Sequence, residues 1–381
     1  MRYTRKEKQE IKQYDVGILT FWNVPNYGTF AQAYALEQVL TTLFPNRDVR
    51  QIAYLNKKHY DNYYNKRLPK NFLKKSFYEE LKILLDSTSA YNLRKKRFPQ
   101  YYQSIKHTES MNRDQLINTR FDTVILGSDI IWDYSFECFD KDPFLFGLGL
   151  NSKEIIAYAT SFGTIKADAV FPNYVKKGII GMKEISVRDN NSADIVEKIT
   201  GIRPPVVLDP TWLWDFDSDI NIVKPIYKDY IIVYGQDFTK KYIEELIIYA
   251  KEKNLKLVCL DCNNDHYGWC DVLIRQADLS PFEWIGLFKY AQIIATSTYH
   301  GLTFGLIFNK PIVFCATEFI LSKAGDFLKE LGLYDLLSVK DQSIKKMAEY
   351  EWDYKGINCI IENKKKKSIN YLRKNLSYNI Q

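Results

Sequence analysis

The feature that most constrains the fold of this chain is a repeated order of short apolar run, polar loop and helical pattern. Its first instance is the run DVGILTF at residues 15–21, followed by a loop rich in Asn, Pro and Gly at 22–28. Alanine and leucine then recur at helical spacing over residues 30–40. A strand, a loop and a helix in this order are typical of an α/β unit.

The alternation occurs in two series separated by residues 212–228, which lack periodicity and form the candidate linker. Two domains also suit a length of 381 residues, at roughly 150 residues each. The sequence therefore predicts two Rossmann-like, doubly wound α/β domains that face a cleft, residues 1–215 and 216–381, the second ending in helices. In such sheets ligands bind at the carboxyl ends of the strands.

Charge and composition narrow the class of protein. The chain has a net charge of +7 and six cysteines, too mild an excess to demand nucleic acid and too few cysteines for a disulfide scaffold. Neither an apolar leader nor an apolar run of about 18 residues is present. We expect a cytoplasmic protein that does not bind nucleic acid.

The positive charge is clustered in three places and in one basic, aromatic insertion at residues 57–106, with a helical stretch at 71–86. The clusters suit either solvated surfaces or contact with an anionic membrane surface, which would place the protein at the inner face of the membrane. They are Arg2, Arg5, Lys6, Lys8 and Lys12; Arg94 to Arg97; and Lys364 to Lys367.

The strongest candidate site is the segment ATSTYHGLTFGLIFNKPIV at residues 295–313. A buried strand ends at Ser297, and a helix is predicted to begin near His300 and Gly301. The hydroxyls of Ser297 and Thr298, the helix N-terminus and the imidazole together suit an anion such as phosphate, which we expect them to bind. His300 can also donate a proton. The alternative is a capped core helix with an incidental histidine.

Three further segments place polar groups after strands. Asn26, Tyr27 and Gly28 follow the first strand, and Ser128 and Asp129 follow another. We expect Asn26, Tyr27, Gly28 and Ser128 to help bind the same ligand. Arg188 ends a third strand, where its guanidinium can bind phosphate or carboxylate with two hydrogen bonds. Its alternative is a surface salt bridge with Asp189 or another acidic residue.

A metal site is a weaker candidate. Cys259, Cys262, His266 and Cys270 lie within 12 residues and have side chains that bind zinc. The spacing is compressed and Cys259 lies in an apolar strand, which favours a buried strand cysteine followed by loop cysteines. The chain also lacks the P-loop, GxGxxG, HExxH and GxSxG motifs.

Five segments in order resemble blocks of the polysaccharide pyruvyl transferase family, over about three quarters of the chain. They are residues 17–36 (GILTFWNVPNYGTFAQAYAL), 124–132 (VILGSDIIW), 186–189 (SVRD), 208–214 (LDPTWLW) and 297–313 (STYHGLTFGLIFNKPIV).

The resemblance implies a two-domain, GT-B-like fold and transfer of pyruvyl from phosphoenolpyruvate to a sugar. The product is a ketal on a bacterial cell-surface polysaccharide, such as a capsule or exopolysaccharide, or on its lipid-linked precursor. No metal or other cofactor is implied. The reaction needs an acid, cationic groups for phosphate and a base for the acceptor hydroxyl. His300 and Arg188 suit the first two roles, and Asp129 is the candidate base.

Two alternatives remain open at this stage. A GT-B glycosyltransferase that uses a nucleotide-sugar would share the fold and needs an acidic residue for the ribose, for which Glu283 is available. Glu283 is also explained by a capping box with Ser280. The other alternative is a non-catalytic scaffold for polysaccharide assembly that binds membranes through the basic clusters.

Overall fold

The fold consists of two parallel β-sheets with helices packed against them. A computed structural model describes residues 12–65, 92–260 and 267–377 of the chain. Five strands form the first sheet, in the order β2-β1-β3-β4-β5. They are β1 (Gln13–Leu19), β2 (Val49–Gln51), β3 (Arg120–Leu126), β4 (Asn151–Thr160) and β5 (Glu184–Val187). The predicted α/β class is confirmed.

The second sheet also has five strands, in the order β10-β9-β6-β7-β8, and its neighbouring strands are parallel. Read from the other edge, this is the strand order of the Rossmann fold. Its strands are β6 (Tyr230–Tyr234), β7 (Lys256–Leu260), β8 (Val272–Ile274), β9 (Ile293–Thr296) and β10 (Ile312–Phe314).

Helices connect the strands and cover both sheets. They are α1 (Tyr27–Leu43), α2 (Lys57–Tyr64), α3 (92–101), α4 (Arg113–Asn118), α5 (Asn173–Ile180), α6 (Asn190–Thr200), α7 (Lys240–Glu252), α8 (Pro281–Lys289), α9 (Tyr299–Ile307), α10 (Glu318–Glu330), α11 (Tyr334–Leu337), α12 (Ile344–Ala348) and α13 (Tyr354–Leu376). Successive residues of the central strands are buried, as expected where helices lie on both faces of a parallel sheet.

The first helix begins three residues before the predicted position, because Asn26 caps it. The Asn26 side-chain oxygen accepts hydrogen bonds from the backbone N–H groups of Gly28 at 3.0 Å and Thr29 at 3.3 Å. Capping satisfies donors that the first turn of a helix leaves free. Part of the predicted glycine loop is therefore the first turn of α1.

The insertion predicted at residues 57–106 is only partly described. Its described parts contribute α2 and α3, while the helix expected at 71–86 lies outside the described residues, as do Arg2, Arg5, Lys6 and Lys8. Within the second basic cluster, Arg97 donates hydrogen bonds to the carbonyl of Ala277 and the carboxylate of Asp278. This arginine joins the two halves of the chain and is not simply a solvated charge.

The C-terminal segment is helical, as predicted, and it returns to the first sheet. In α13 the Ser368 hydroxyl accepts a hydrogen bond from the backbone N–H of Leu208 at 3.0 Å, and the Tyr371 hydroxyl donates to the carbonyl of Ala157 at 3.0 Å. The described residues 188–229 contain no strand. Domain limits of 1–215 and 216–381 therefore remain a proposal. The last helix, α13, belongs to the second of these ranges but packs on the first sheet.

Candidate active site

The loops at the two points where strand order reverses meet in the cleft. These points lie between β1 and β3 in the first sheet and between β6 and β9 in the second. Gly28, at the start of α1, lies against the imidazole of His300, at the start of α9. A Cβ atom built on Gly28 would lie 2.2 Å from His300 Nδ1. The contact brings together two segments that the sequence predicted separately.

His300 has an unusual environment for an ionisable group. Thr298 caps α9 by accepting a hydrogen bond from the Gly301 N–H at 3.0 Å, which fixes the turn that carries the histidine. His300 Nε2 is buried and has no hydrogen-bond partner among the described residues. Burial lowers the pKa of His300, while Asp209 and Asp129 oppose the shift. The site therefore holds a neutral imidazole with a free ring nitrogen.

The side chain of Arg188 is buried, which contradicts the surface-salt-bridge alternative. Its side chain is 6% exposed, and Nη1 donates to Asp209 Oδ2 at 2.9 Å and lies 3.6 Å from Asp129 Oδ1. The guanidinium also lies 5.2 Å from the centre of the Tyr299 ring. Burial alone lowers its pKa, but Asp209 and Asp129 raise it above its ordinary value. Asp189 instead caps α6.

Asp209 is a site residue that sequence reasoning missed. It is 1% exposed and accepts hydrogen bonds from Arg188, from the Thr211 hydroxyl at 2.7 Å and from the Ser128 hydroxyl at 3.3 Å. Burial would raise its pKa, but the Arg188 guanidinium holds it below its usual range. The sequence feature that could have identified it is its position directly after the apolar run PPVVL, inside the segment 208–214 that resembles the family.

The loop after β3 brings Ser128 and Asp129 to the same place. Asp129 has a φ angle of 82°, a left-handed conformation that costs energy for a residue other than glycine. Its backbone N–H donates to the Ser128 hydroxyl at 2.6 Å, and its carboxylate accepts from the Ile130 N–H at 2.8 Å. This loop holds the Asp129 carboxylate near Arg188 and His300.

A cleft cavity of about 440 Å³ opens beside these groups. Four cationic side chains line it, from Arg188, Lys323, Lys364 and Lys367, and its walls include Tyr299. His300 does not line the cavity itself. Two residues that do line it, Arg188 and Lys323, are close enough to lower the pKa of His300 by their positive charge. A cavity of this size suits a small ligand.

Two of the four cations lack a carboxylate partner. Arg188 pairs with Asp209 and Lys364 pairs with Glu330. For Lys323 and Lys367 no ion pair is found within the described part of the chain. Burial lowers the pKa of Lys323 to about 8. Lys323 and Lys367 are therefore cations of the lining that no ion pair holds within those residues, while the carboxylates of Asp189, Asp209, Asp326 and Glu330 also line the cavity. Lys323 is a second site residue that could not be recognised from its position in α10.

The other predicted site residues have structural contacts. The Tyr27 hydroxyl donates to the Leu279 carbonyl at 2.6 Å, its ring stacks on Trp284, and it does not line the cleft cavity. The Ser297 hydroxyl donates to the carbonyl of Gln236 at 2.7 Å and accepts from its N–H. Asn26 caps α1. A donor-binding role for these side chains stays a prediction.

The metal candidate is not described as a whole. Cys262 and His266 lie outside the described residues. Cys259 is buried in β7, where its thiol donates to the Leu260 carbonyl at 3.4 Å. That placement agrees with a buried strand cysteine.

Replacing Gly28 with alanine should displace the His300 ring, because the added methyl group would overlap Nδ1. A catalytic group misplaced by about 1 Å can cost up to about 10²-fold, so we expect turnover to fall about tenfold or more. Gly325→Ala is a matched control, since its Cβ would meet Tyr334 at an ordinary 3.4 Å. Equal turnover in both variants, measured at equal folded fraction, would contradict the contact.

Comparison with known proteins gives a family and a fold. A family model described as polysaccharide pyruvyl transferase matches residues 26–318. A UDP-GlcNAc 2-epimerase from Neisseria meningitidis, bound to UDP-GlcNAc, is similar in structure with a TM-score of 0.51 and 12% identity, over 95% of this chain and 100% of that chain. Another UDP-N-acetylglucosamine 2-epimerase has a TM-score of 0.51 and 11% identity, over 98% of each chain.

Likeness at these identities shows the fold alone. It confirms the predicted GT-B-like arrangement of two Rossmann-like sheets. No curated protein matches the chain in sequence.

Proposed function

The chain belongs to the polysaccharide pyruvyl transferase family, and from that premise we propose that it transfers pyruvyl from phosphoenolpyruvate to a sugar. The acceptor is a pair of hydroxyls on a cell-surface polysaccharide or its lipid-linked precursor. The products are a cyclic ketal and phosphate, and we propose no cofactor beyond this co-substrate. The observation that carries the proposal is the buried Nε2 of His300, unpartnered among the described residues, beside a cavity lined by two lysines, Lys323 and Lys367, that form no ion pair within those residues.

The cleft cavity is the proposed donor site. Phosphoenolpyruvate is small and carries both phosphate and carboxylate, so it needs several cationic donors. Lys323 and Lys367 form no ion pair within the described residues, which leaves their ammonium groups to bind an anion, and Arg188 has N–H groups besides Nη1. Charge-assisted hydrogen bonds of this kind are stronger than neutral ones. Asp209 holds the Arg188 guanidinium in place for this contact.

His300 is the proposed acid. Burial lowers its pKa, which favours the neutral imidazole. A bound anion adds negative charge beside it, which raises the pKa and favours uptake of a proton. His300 Nε2 can then deliver that proton to the methylene carbon of phosphoenolpyruvate.

The remaining steps balance without another reactant. Protonation of the methylene carbon makes a methyl group and leaves a cationic centre at C2, which one sugar hydroxyl attacks. The bond between C2 and the phosphate oxygen then breaks, and the second hydroxyl closes the ketal. Two hydroxyl protons are lost, one replacing the proton that His300 gave and one leaving with phosphate or solvent. Asp129 is the proposed base for the attacking hydroxyl.

A nucleotide-sugar glycosyltransferase is not favoured. The acidic residue available for a ribose was Glu283, and its carboxylate accepts a hydrogen bond from the Ser280 N–H at 2.7 Å. The Ser280 hydroxyl in turn accepts from the Glu283 N–H, which completes the capping box predicted from the sequence. Glu283 is therefore occupied at the start of α8.

No helix in the described part of the chain is long and apolar enough to cross a bilayer. We propose that the protein acts in the cytoplasm, at the inner face of the membrane where a lipid-linked acceptor would lie. In this proposal the third basic cluster does not serve membrane contact alone, because two of its lysines, Lys364 and Lys367, line the cleft cavity.

The proposal is tested by incubating the protein with phosphoenolpyruvate and a panel of free and lipid-linked glycans. We expect phosphate release that depends on one acceptor, and a product whose mass equals that acceptor plus a pyruvate ketal. Nucleotide-sugars replace phosphoenolpyruvate in the control. Transfer from a nucleotide-sugar, with none from phosphoenolpyruvate, would contradict the proposed donor.

Donor affinity should fall as pH rises through about 8, the pKa of Lys323. Lysine is charged below its pKa and neutral above it, and the donor's phosphate is already fully ionised above about pH 7. We expect up to about tenfold weaker binding at pH 9 than at pH 7, measured by calorimetry. Lys323→Arg keeps its charge over this range and should reduce the fall to the part that proton uptake by His300 causes. A fall that persists unchanged in that variant would show another group to be responsible.

A further inference from the structure

We propose that a second cavity, in the N-terminal half of the chain, binds the glycan acceptor and favours saccharides that carry negative charge. This inference rests on the proposed function. We call it the aromatic cavity; its volume is about 780 Å³. Its walls include Trp22, Tyr54, Tyr60, Tyr64, Tyr102 and Arg113.

The rings of this cavity are held in place by one another. Tyr60 stacks on Tyr64 with ring centres 4.8 Å apart, and the hydroxyls of Tyr64 and Tyr102 are hydrogen-bonded at 3.1 Å. Trp22 stacks on His107 at 5.0 Å. Tyr60 remains 42% exposed, so part of its ring is open to a ligand. Rigid aromatic surface with a polar edge suits a sugar ring, which presents C–H groups on its faces and hydroxyls at its rim.

Charge in the aromatic cavity favours an acidic saccharide. Lys57, Lys95 and Arg113 line it against one carboxylate, from Asp140. The Arg113 guanidinium lies 4.8 Å from the centre of the Phe144 ring, which supports it at the cavity wall. A net positive lining attracts anionic ligands and disfavours cationic ones. Uronic acids or other acidic sugars fit this lining better than neutral sugars do.

The aromatic cavity and the candidate active site share one loop. Trp22 and Asn23 line the cavity, and Gly28 touches His300. The hydroxyl of Tyr64 donates to the Asn23 carbonyl at 3.2 Å, which ties the cavity wall to that loop. Five residues of chain span at most about 18 Å. A sugar held here would therefore belong to the same oligosaccharide as the reacting hydroxyls, several units away.

Such a remote contact should act on acceptor affinity more than on chemistry. We expect Tyr60→Ala to raise the KM for the acceptor about tenfold, the effect typical of truncating an aromatic anchor, with kcat and donor affinity nearly unchanged. Tyr60→Phe should raise the KM much less than Tyr60→Ala does, because the stacking ring is retained and only the hydroxyl is lost. Tyr350→Ala is the matched control: Tyr350 is also 42% exposed and lies outside the cavity.

The test is binding of the full-length protein, without phosphoenolpyruvate, to a printed array of acidic and neutral bacterial surface oligosaccharides. The inference predicts binding to acidic oligosaccharides that Tyr60→Ala weakens about tenfold and Tyr350→Ala does not. It is overturned if the parent protein binds no oligosaccharide, binds neutral ones alone, or binds equally well after Tyr60→Ala.

Because this assay needs no turnover, it separates the two proposals. Glycan binding that depends on Tyr60, without transfer from phosphoenolpyruvate, would contradict the proposed function alone. Transfer with an unchanged acceptor KM in Tyr60→Ala would contradict the aromatic cavity alone.

Discussion

His300→Gln should lower turnover by about 10²-fold or more, the usual scale for loss of a general acid. Glutamine keeps a polar side chain of similar reach but cannot transfer a proton, so donor affinity should be largely retained. The protein should fold normally, because α9 keeps its buried residues Leu302, Phe304 and Leu306. Turnover per folded molecule and donor affinity are the two measurements.

A second measurement on the same variant separates proton transfer from a structural role. Since burial lowers the pKa of His300, a bound anion should raise that pKa and cause proton uptake. Calorimetry in buffers of different ionisation enthalpy should detect that uptake in the parent protein and lose it in His300→Gln. Loss of donor affinity as well would assign His300 to phosphate binding. Near-normal turnover would leave His300 structural.

His59→Gln is the matched control for this prediction. His59 is also buried, its Nδ1 has no hydrogen-bond partner in the described residues, and burial lowers its pKa to about 4. It lies among Phe21, Tyr63 and Phe139, away from the cleft cavity. We expect this variant to change stability without changing turnover per folded molecule.

Arg188→Ala should be the most destabilising of the site variants. Removing the guanidinium leaves the Asp209 carboxylate buried without its cationic partner. Breaking a buried ion pair in this way typically costs about 3–5 kcal/mol in the free energy of unfolding. Donor affinity should fall as well, by about 1.5–3 kcal/mol for each charge-assisted hydrogen bond lost. Arg188→Lys should be milder in both respects, since it keeps the charge but loses the planar fork.

A double variant separates the two effects of Arg188. Arg188→Met with Asp209→Asn removes both charges, so much of the stability lost in Arg188→Ala should return. Donor affinity should stay low, because the guanidinium is still missing. Chemical denaturation and donor titration measure the two quantities. Unchanged affinity for phosphoenolpyruvate in Arg188→Ala would show that Arg188 serves the fold alone.

Local pattern was enough to predict the elements and several residues of the site. Apolar runs ending in polar loops identified the strands, and the capping pattern located α8. The turn after β9 placed His300 at the start of a helix because Thr298, with its capping hydroxyl, precedes it. Each of these features depends on residues close together in the chain.

What could not be predicted depends on contacts between distant segments. Asp209 and Arg188 lie on different loops, and the sequence of neither loop indicates that the two side chains form an ion pair. In the sequence, Lys323 is an ordinary lysine of an amphipathic helix. Only the packing of that helix shows that the side chain lines the cleft cavity. Gly28 was predicted as part of a loop that approaches the ligand, whereas it lies at the start of α1 and its lack of a side chain makes room for His300.

The same limit explains the aromatic residues. Tyrosine content alone cannot distinguish a core tyrosine such as Tyr158, which is fully buried, from Tyr60, which is 42% exposed in a cavity. Tyr27 was predicted to contact the ligand because it follows a strand. In the structure its ring stacks on Trp284, and its hydroxyl donates a hydrogen bond to the carbonyl of Leu279.

The central claim is that pyruvyl passes from phosphoenolpyruvate to a glycan after protonation of the methylene carbon beside His300. The most direct measurement is the reaction in D₂O with phosphoenolpyruvate and the acceptor, followed by mass spectrometry and NMR of the glycan. The account predicts a pyruvate ketal whose methyl group carries one deuterium, with one phosphate released for each ketal formed. Phosphate release without a pyruvylated glycan, or a ketal methyl group without deuterium, would contradict it.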